Sequence, residues 1–329
     1  MRVPIEALEQ RVLNGGEVTG EEAQALMSLA GRDVYDLFPS ANRIARRFKG
    51  WVVELCGIVN AKSGRCPEDC AFCAQSAHHR TDTPVYDLME VPAVVKAAAV
   101  ATSDGADHFG IVTSGTRVRG AQLDVVCEAI GRIVSAGQVI PCASLGILDA
   151  VALGRLKTAG LRRYHHNLET SRSFFPTICS THEYDDDVAT VVAARNVGLE
   201  VCSGGIFGVG ESPAQRVELA LTLRELGADS VPINFLVPVP GTRLEGRPAL
   251  SPLEALQIVA VFRFVLPRAT LKVCAGRERN LGDMASWIFY AGANAMMVGN
   301  FLTTAGRTPE LDLAMIRALG FSPVSEVVR

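Results

Sequence analysis

The chain is poor in aromatic residues, 6% of 329, and it has no block of like charge: 32 basic and 35 acidic residues leave a net charge of −3. Without a basic block nothing neutralises a phosphate backbone, so nucleic acid is excluded as the main partner. The opening MRVPIEALEQ carries Glu6 and Glu9 and lacks the apolar run of a secretion signal, so a cytoplasmic location is expected. Met284 to Gly306 is the longest uncharged stretch and could reach across a bilayer. A span would have to desolvate Ser286, Asn294, Asn300, Thr303 and Thr304; a buried helix, turn and strand would not, and no membrane is expected. Linkers and low-complexity tracts are absent too. With 48% apolar residues, the chain can bury roughly three quarters of its unfolded surface in one large core.

Nine cysteines are present: Cys56, Cys66, Cys70, Cys73, Cys127, Cys142, Cys179, Cys202 and Cys274. An odd number in a reducing compartment argues against a disulfide framework and for metal or redox chemistry. Cys127 and Cys179 are expected to be structural.

From Trp51 onward, eight short runs rich in β-branched residues alternate with helical patterns. The runs are WVVELCGIVN, DHFGIVTS, QVIPCASLG, LRRYHHNLE, LEVCSGGIF, SVPINFLV, TLKVCAGR and NAMMVGN. The helical stretch after TLKVCAGR is expected over Leu281 to Ala291. Eight strand-plus-helix units predict an α/β fold, a (β/α)8 TIM barrel. A doubly wound open sheet is the alternative. The expected division is a helical N-terminal extension over 1–45, the barrel over 46–320 and a tail over 321–329. Polar and sulfur residues gather at the ends of the strand runs, where such barrels carry their chemistry.

CPEDCAFC places Cys66, Cys70 and Cys73 in the loop after the first run. Three thiolates suit a four-iron cubane that leaves one iron open. A zinc site completed by His78 or His79 is the alternative. Asn167 and Glu169 lie two apart near the end of the fourth run and are expected on one face of a strand. Gly204, Gly205, Gly208 and Gly210 imitate a dinucleotide fingerprint, but Pro213 takes the place of its third glycine.

The CxxxCxxC loop resembles the radical S-adenosylmethionine superfamily. NAKSGRCPEDCAFCAQS, YHHNLETS, VCSGGIFGVGES, VPINFLVPVPGT, AGRE and AGANAMMVGNFLTT together resemble the biotin synthase family, from about Cys56 to Thr304. That resemblance implies a [4Fe–4S] cluster on Cys66, Cys70 and Cys73, S-adenosyl-L-methionine as cofactor, and dethiobiotin as substrate. It implies that Phe72, Asn167, Glu169, Ile206 and Val237 bind S-adenosylmethionine and that Asn167 and Asn234 bind dethiobiotin. It also implies an auxiliary iron–sulfur cluster that donates sulfur, an electron donor such as flavodoxin or ferredoxin, and a homodimer.

Two departures from the family pattern stand out. Of the auxiliary ligands, Cys142, Cys202 and Arg277 are expected in place, but Gly110 occupies the second-strand cysteine position. Cys56 is the expected replacement and Cys274 the weaker candidate, in either a [2Fe–2S] cluster or a four-iron cluster with an extra sulfide. Asp187 stands where the family often has an arginine near the methionine carboxylate. The readings weighed against this one are a mutase or hydrogenase-maturation relative and a non-catalytic metal-binding module.

Overall fold

β-Branched residues crowd a helix and suit a pleated strand, and each predicted run contains a strand. The computed structural model describes residues 3–327. Its strands are β1 (Val52–Lys62), β2 (His108–Thr113), β3 (Ile140–Ser144), β4 (Arg163–His165), β5 (Glu200–Cys202), β6 (Gly205–Phe207), β7 (Ser230–Phe235), β8 (Thr270–Val273), β9 (Ala295–Met297) and β10 (Ser322–Pro323). The order β1-β2-β3-β4-β5-β7-β8-β9 is parallel throughout, and β9 pairs back onto β1. The sheet is a closed eight-stranded barrel, and the open doubly wound alternative is excluded.

The LEVCSGGIF run is broken into β5 and β6, both of which pair with β7. The cause is a close approach: a Cβ on Gly204 would lie 2.0 Å from the Pro232 carbonyl oxygen. Only glycine fits there.

Three helices between the strands begin where a side chain satisfies their free N–H groups. Asp149 caps Ala150–Thr158, Ser212 forms a capping box with Gln215 at Pro213–Glu225, and Ser251 caps Pro252–Val265. The last of these helices is buried on every face from Ala255 to Val265. Such a helix needs cover on both sides, and the N-terminal helices Gly20–Met27 and Leu37–Lys49 supply it opposite the barrel. Gln257 Nε2 fastens the layer by donating to the Leu26 and Leu29 carbonyls, each at 3.0 Å.

Three boundaries differ from the sequence expectation. The N-terminal helical layer runs to Lys49 rather than 45. The helix expected over Leu281 to Ala291 is three short pieces, because Gly282 turns the chain at φ +50. Residues 321–329 are not a free tail within the described part, since β10 pairs with the start of β1. Among the described residues no helix is long and apolar enough to cross a membrane.

Candidate active site

Parallel strands in register present a ring of inward side chains. Here Cys56, Gly110, Cys142, His165, Cys202, Asn234, Lys272 and Cys274 all line one cavity of about 310 Å3. Gly110 is bare, and even a Cβ there would meet Ile58 Cγ2 at 3.1 Å. Cys56, Cys142 and Cys202 therefore form the thiol set of the inner wall, with Cys274 beside them.

The cation among these sulfurs is Lys272. Its Nζ lies 3.2 Å from Cys56 Sγ and 3.7 Å from Cys202 Sγ, wholly buried. Burial disfavours the Cys202 thiolate, but Lys272 and His165, whose Nδ1 is 3.3 Å away, outweigh it and bring the thiol down to about 6. Burial dominates at Cys56, pushed up to about 11, and at Cys274, pushed up to about 12; it also raises Cys142.

Arg277 is not part of this wall. It is 1% exposed, donates to the Met297 carbonyl at 2.6 Å and pairs with the fully buried Asp312. The expectation that Arg277 meets the cysteines is thus corrected: it lies past the end of β8, whereas Lys272 is inside the strand at an inward position.

Beneath the thiols the strand starts carry an ionic layer. Arg163 Nη1 is 2.7 Å from Glu54 Oε1 and its Nη2 is 3.0 Å from Glu200 Oε2. Burial works against the Glu54 carboxylate, but His108 and Arg163 hold it down at about 2. Sequence reading missed both Arg163 and Lys272. The available signal was their spacing, each two residues before an inward side chain, His165 and Cys274, and hence on the same strand face.

Cys66, Cys70 and Cys73 sit in the long loop after β1, which is held by Cys66 N–H to the Gln75 carbonyl at 3.0 Å and Ala71 N–H to the Ile178 carbonyl at 2.7 Å. Tetrahedral zinc–thiolate bonds of about 2.3 Å would bring the sulfurs to about 3.8 Å apart. These three do not form a group with all sulfurs within 4.8 Å of one another. The three sulfurs are therefore not already gathered around the position of one shared ion. Cys73 and Phe72 reach the cavity from this loop, and Phe72 and Ile206 pack in one small apolar cluster at its mouth. Val237 lines the same wall.

Asn167 and Glu169 both face the cavity, although the strand expected to carry them ends at His165. Glu169 does so by adopting φ +61, a left-handed conformation that costs a non-glycine residue about 1 kcal/mol or more. Its carbonyl accepts from Ile206 N–H at 2.8 Å, and its Oε2 accepts from Asn167 Nδ2 at 3.2 Å. Asn167 Oδ1 in turn accepts from Gly204 N–H at 3.1 Å. Burial, with the nearby Asp187 charge, pushes the Glu169 carboxyl up to about 8. Asn234 Nδ2 donates to the Gly205 carbonyl at 3.2 Å, which fixes its amide at the cavity wall. Asp187 faces histidines: His166 Nε2 at 2.8 Å and His182 Nε2 at 3.4 Å.

Two family models match this chain: the Radical SAM superfamily over residues 61–223 and the Biotin and Thiamin Synthesis associated domain over residues 232–322. Among solved structures, methylornithine synthase superposes with a TM-score of 0.82 at 17% identity, covering 96% of this chain and 97% of that one. The FeFe-hydrogenase maturase of Carboxydothermus hydrogenoformans gives 0.82 at 16% identity, covering 97% of this chain and 79% of the other. These two likenesses concern the fold. Biotin synthase of Geotalea uraniireducens is 53% identical over 323 residues, 98% of each chain. That of Nitratidesulfovibrio vulgaris is 54% identical over 303 residues, 92% of this chain and 84% of its own. With a barrel, a three-cysteine loop and a second thiol set arranged in this way, the chain belongs to the biotin synthase family of the radical S-adenosylmethionine superfamily.

Proposed function

We propose that the chain forms biotin by inserting sulfur between two carbons of dethiobiotin. The observation that carries this reading is one cavity walled by Cys56, Cys142 and Cys202 and reached by Cys73 of the three-cysteine loop after β1, with Asn167, Glu169 and Asn234 on the same lining. Cys66, Cys70 and Cys73 would hold a [4Fe–4S] cluster, which supplies the electron that cleaves S-adenosylmethionine to the 5′-deoxyadenosyl radical. Phe72, Ile206 and Val237 offer an apolar bed for adenine. Glu169 offers carboxyl oxygens to the ribose hydroxyls, with Asn167 bracing it. The amides of Asn167 and Asn234, which both donate and accept, suit a cyclic urea. Val112, Val237, Val239, Leu236, Leu302 and Pro232 on the cavity lining limit the water beside a reactive carbon centre.

The auxiliary ligands in this proposal are Cys56, Cys142 and Cys202, with Lys272 in the place first expected of Arg277. Three thiolates beside a buried ammonium favour a four-iron cluster carrying an extra sulfide over a [2Fe–2S] cluster, because the ammonium satisfies the fourth side without ligating. Cys274 is the spare thiol. A low-potential one-electron carrier such as flavodoxin or ferredoxin would supply reductant, and the resemblance supports a cytoplasmic homodimer.

The test is anaerobic. Cys70→Ala should abolish 5′-deoxyadenosine formation under strong reductant, and Cys56→Ala should lower iron by about four per chain while leaving that cleavage intact. Full cleavage by Cys70→Ala refutes the radical reading. Loss of only two irons in Cys56→Ala refutes the four-iron version.

A further inference from the structure

Outside the cavity, three donor atoms of different kinds converge. Glu68, in the loop after β1, and Cys179 and His182, in the loop after β4, bring a carboxylate oxygen, a thiol sulfur and an imidazole nitrogen within 4.8 Å of one another. His182 Nδ1 is 2.8 Å from Glu68 Oε2 and 3.3 Å from Cys179 Sγ. We propose that Glu68, Cys179 and His182 form a mononuclear zinc site that staples the cysteine loop to the segment preceding the helix Tyr184–Asn196.

The chemistry of the donors fits. Carboxylate, imidazole and thiolate are the three protein ligands of zinc, and a tetrahedral ion with bonds of about 2.0–2.3 Å spaces them about 3.3–3.6 Å apart. The nitrogen–oxygen edge needs to open by about half an ångström to reach that spacing, and the nitrogen–sulfur edge by a few tenths. Thr181 Oγ1, 3.6 Å from Cys179 Sγ and 2.5 Å from Glu68 Oε2, is the nearby hydroxyl that a fourth ligand would have to be or displace.

The second ring nitrogen supplies an independent argument. Metal-binding histidines usually present their other nitrogen to a carboxylate, which fixes the ring. His182 Nε2 faces Asp187 Oδ2 at 3.4 Å, and Asp187 is itself held by His166 Nε2 at 2.8 Å. The side chains are shielded: Cys179 is 3% exposed, and His182 and Glu68 are 13% and 12% exposed at the side chain. This assignment also gives a role to Asp187, which stands where the family often has an arginine near the methionine carboxylate. Cys70 Sγ, 3.9 Å from Cys179 Sγ, is the nearest thiol of the loop cysteines and marks the border between the two sites.

The experiment uses the anaerobically isolated full-length protein with its iron–sulfur clusters, dialysed against Zn2+ and desalted. About one zinc per chain is expected beyond the iron, with X-ray absorption at the zinc edge giving one sulfur and otherwise nitrogen or oxygen neighbours. In Cys179→Ser and in His182→Gln, retained zinc should fall at least tenfold while loop-cluster iron remains. Three or four sulfurs around zinc would place the ion in the cysteine triad and overturn the proposal. No retained zinc in the wild-type protein, or undiminished zinc in both variants, overturns it equally. Should a variant fail to fold, the sulfur count at the wild-type zinc edge decides alone.

Discussion

Gly205 follows the break between β5 and β6, and its replacement by alanine gives a sharp test of how Glu169 is held. A Cβ at Gly205 would lie 2.5 Å from the Glu169 carbonyl oxygen and 2.9 Å from Leu219 Cδ2. Reaching ordinary contact requires a shift of about 0.9 Å from the carbonyl oxygen and about 0.5 Å from the leucine methyl, and the leucine side chain can yield more readily than the backbone carbonyl. That carbonyl accepts the 2.8 Å bond from Ile206 N–H, which a shift of this size breaks. Overpacking at about 1–3 kcal/mol plus a lost hydrogen bond at about 1 kcal/mol predicts a fold weakened by about 2–4 kcal/mol. Glu169 already occupies a strained φ of +61, so its carboxylate should leave the cavity wall as the backbone moves. Losing the one hydrogen bond proposed between the neutral Glu169 carboxyl and the ribose costs about 0.5–1.5 kcal/mol, or roughly 2–10-fold in affinity. Equilibrium binding of S-adenosylmethionine to the anaerobically reconstituted variant, paired with urea unfolding, measures both effects. A Gly205→Ala protein that binds within twofold of wild type and unfolds at the same midpoint would refute the reasoning.

Three other perturbations probe the frame around the site. Gly154, inside the helix Ala150–Thr158, has nothing within 4 Å of the position an added methyl would take, so Gly154→Ala should stabilise by about 0.5–1 kcal/mol in urea unfolding; a loss of stability would contradict this. Arg277→Met leaves the fully buried Asp312 without its main partner and should cost about 3–5 kcal/mol, yet auxiliary-cluster spectra should not change. Altered spectra in a folded Arg277→Met protein would return Arg277 to the cluster. Asp107, 8% exposed, is pushed up to about 6 by burial, despite accepting from Leu55 N–H at 2.8 Å. The folded state therefore keeps this proton where the unfolded chain has already released it, and ionisation costs stability as pH rises from about 4 through about 6. Two pKa units correspond to about 3 kcal/mol, so Asp107→Asn should gain up to that much on wild type across this range and stay level above it. Urea midpoints measured stepwise from pH 4 to pH 8 would show it; a constant difference would exclude it.

Runs of β-branched residues alternating with helical stretches made the barrel legible in the sequence, because eight such units close in few ways. The radical-cluster loop was legible for a different reason, since its three cysteines are contiguous in sequence. The inner wall was not, because its members come from strands far apart and only register decides who meets whom. Arg277 attracted attention as the arginine after TLKVC, while the lysine inside that string was the residue aimed inward. A buried charge on a central strand runs against the expectation that such positions are apolar, and Arg163 escaped notice for the same reason. Asn167 and Glu169 were placed on the correct side of the cavity by strand alternation, but the chain achieves it through a left-handed residue that alternation does not describe. Cys179 read as structural because its neighbours Glu68 and His182 come together only when two loops fold onto each other.

The ionic layer of Glu54, Arg163 and Glu200 has a consequence for traffic. With that layer below the thiols and the N-terminal helices packed on the barrel's flank, ligands reach the wall cysteines from the side on which the cysteine loop lies. Entry and exit then share a doorway, and whatever docks last must depart first. If dethiobiotin binds nearer the wall cysteines than the nucleoside, it should be trapped by the nucleoside that follows it, and the finished thiophane ring should be released only after the spent nucleoside and methionine have gone.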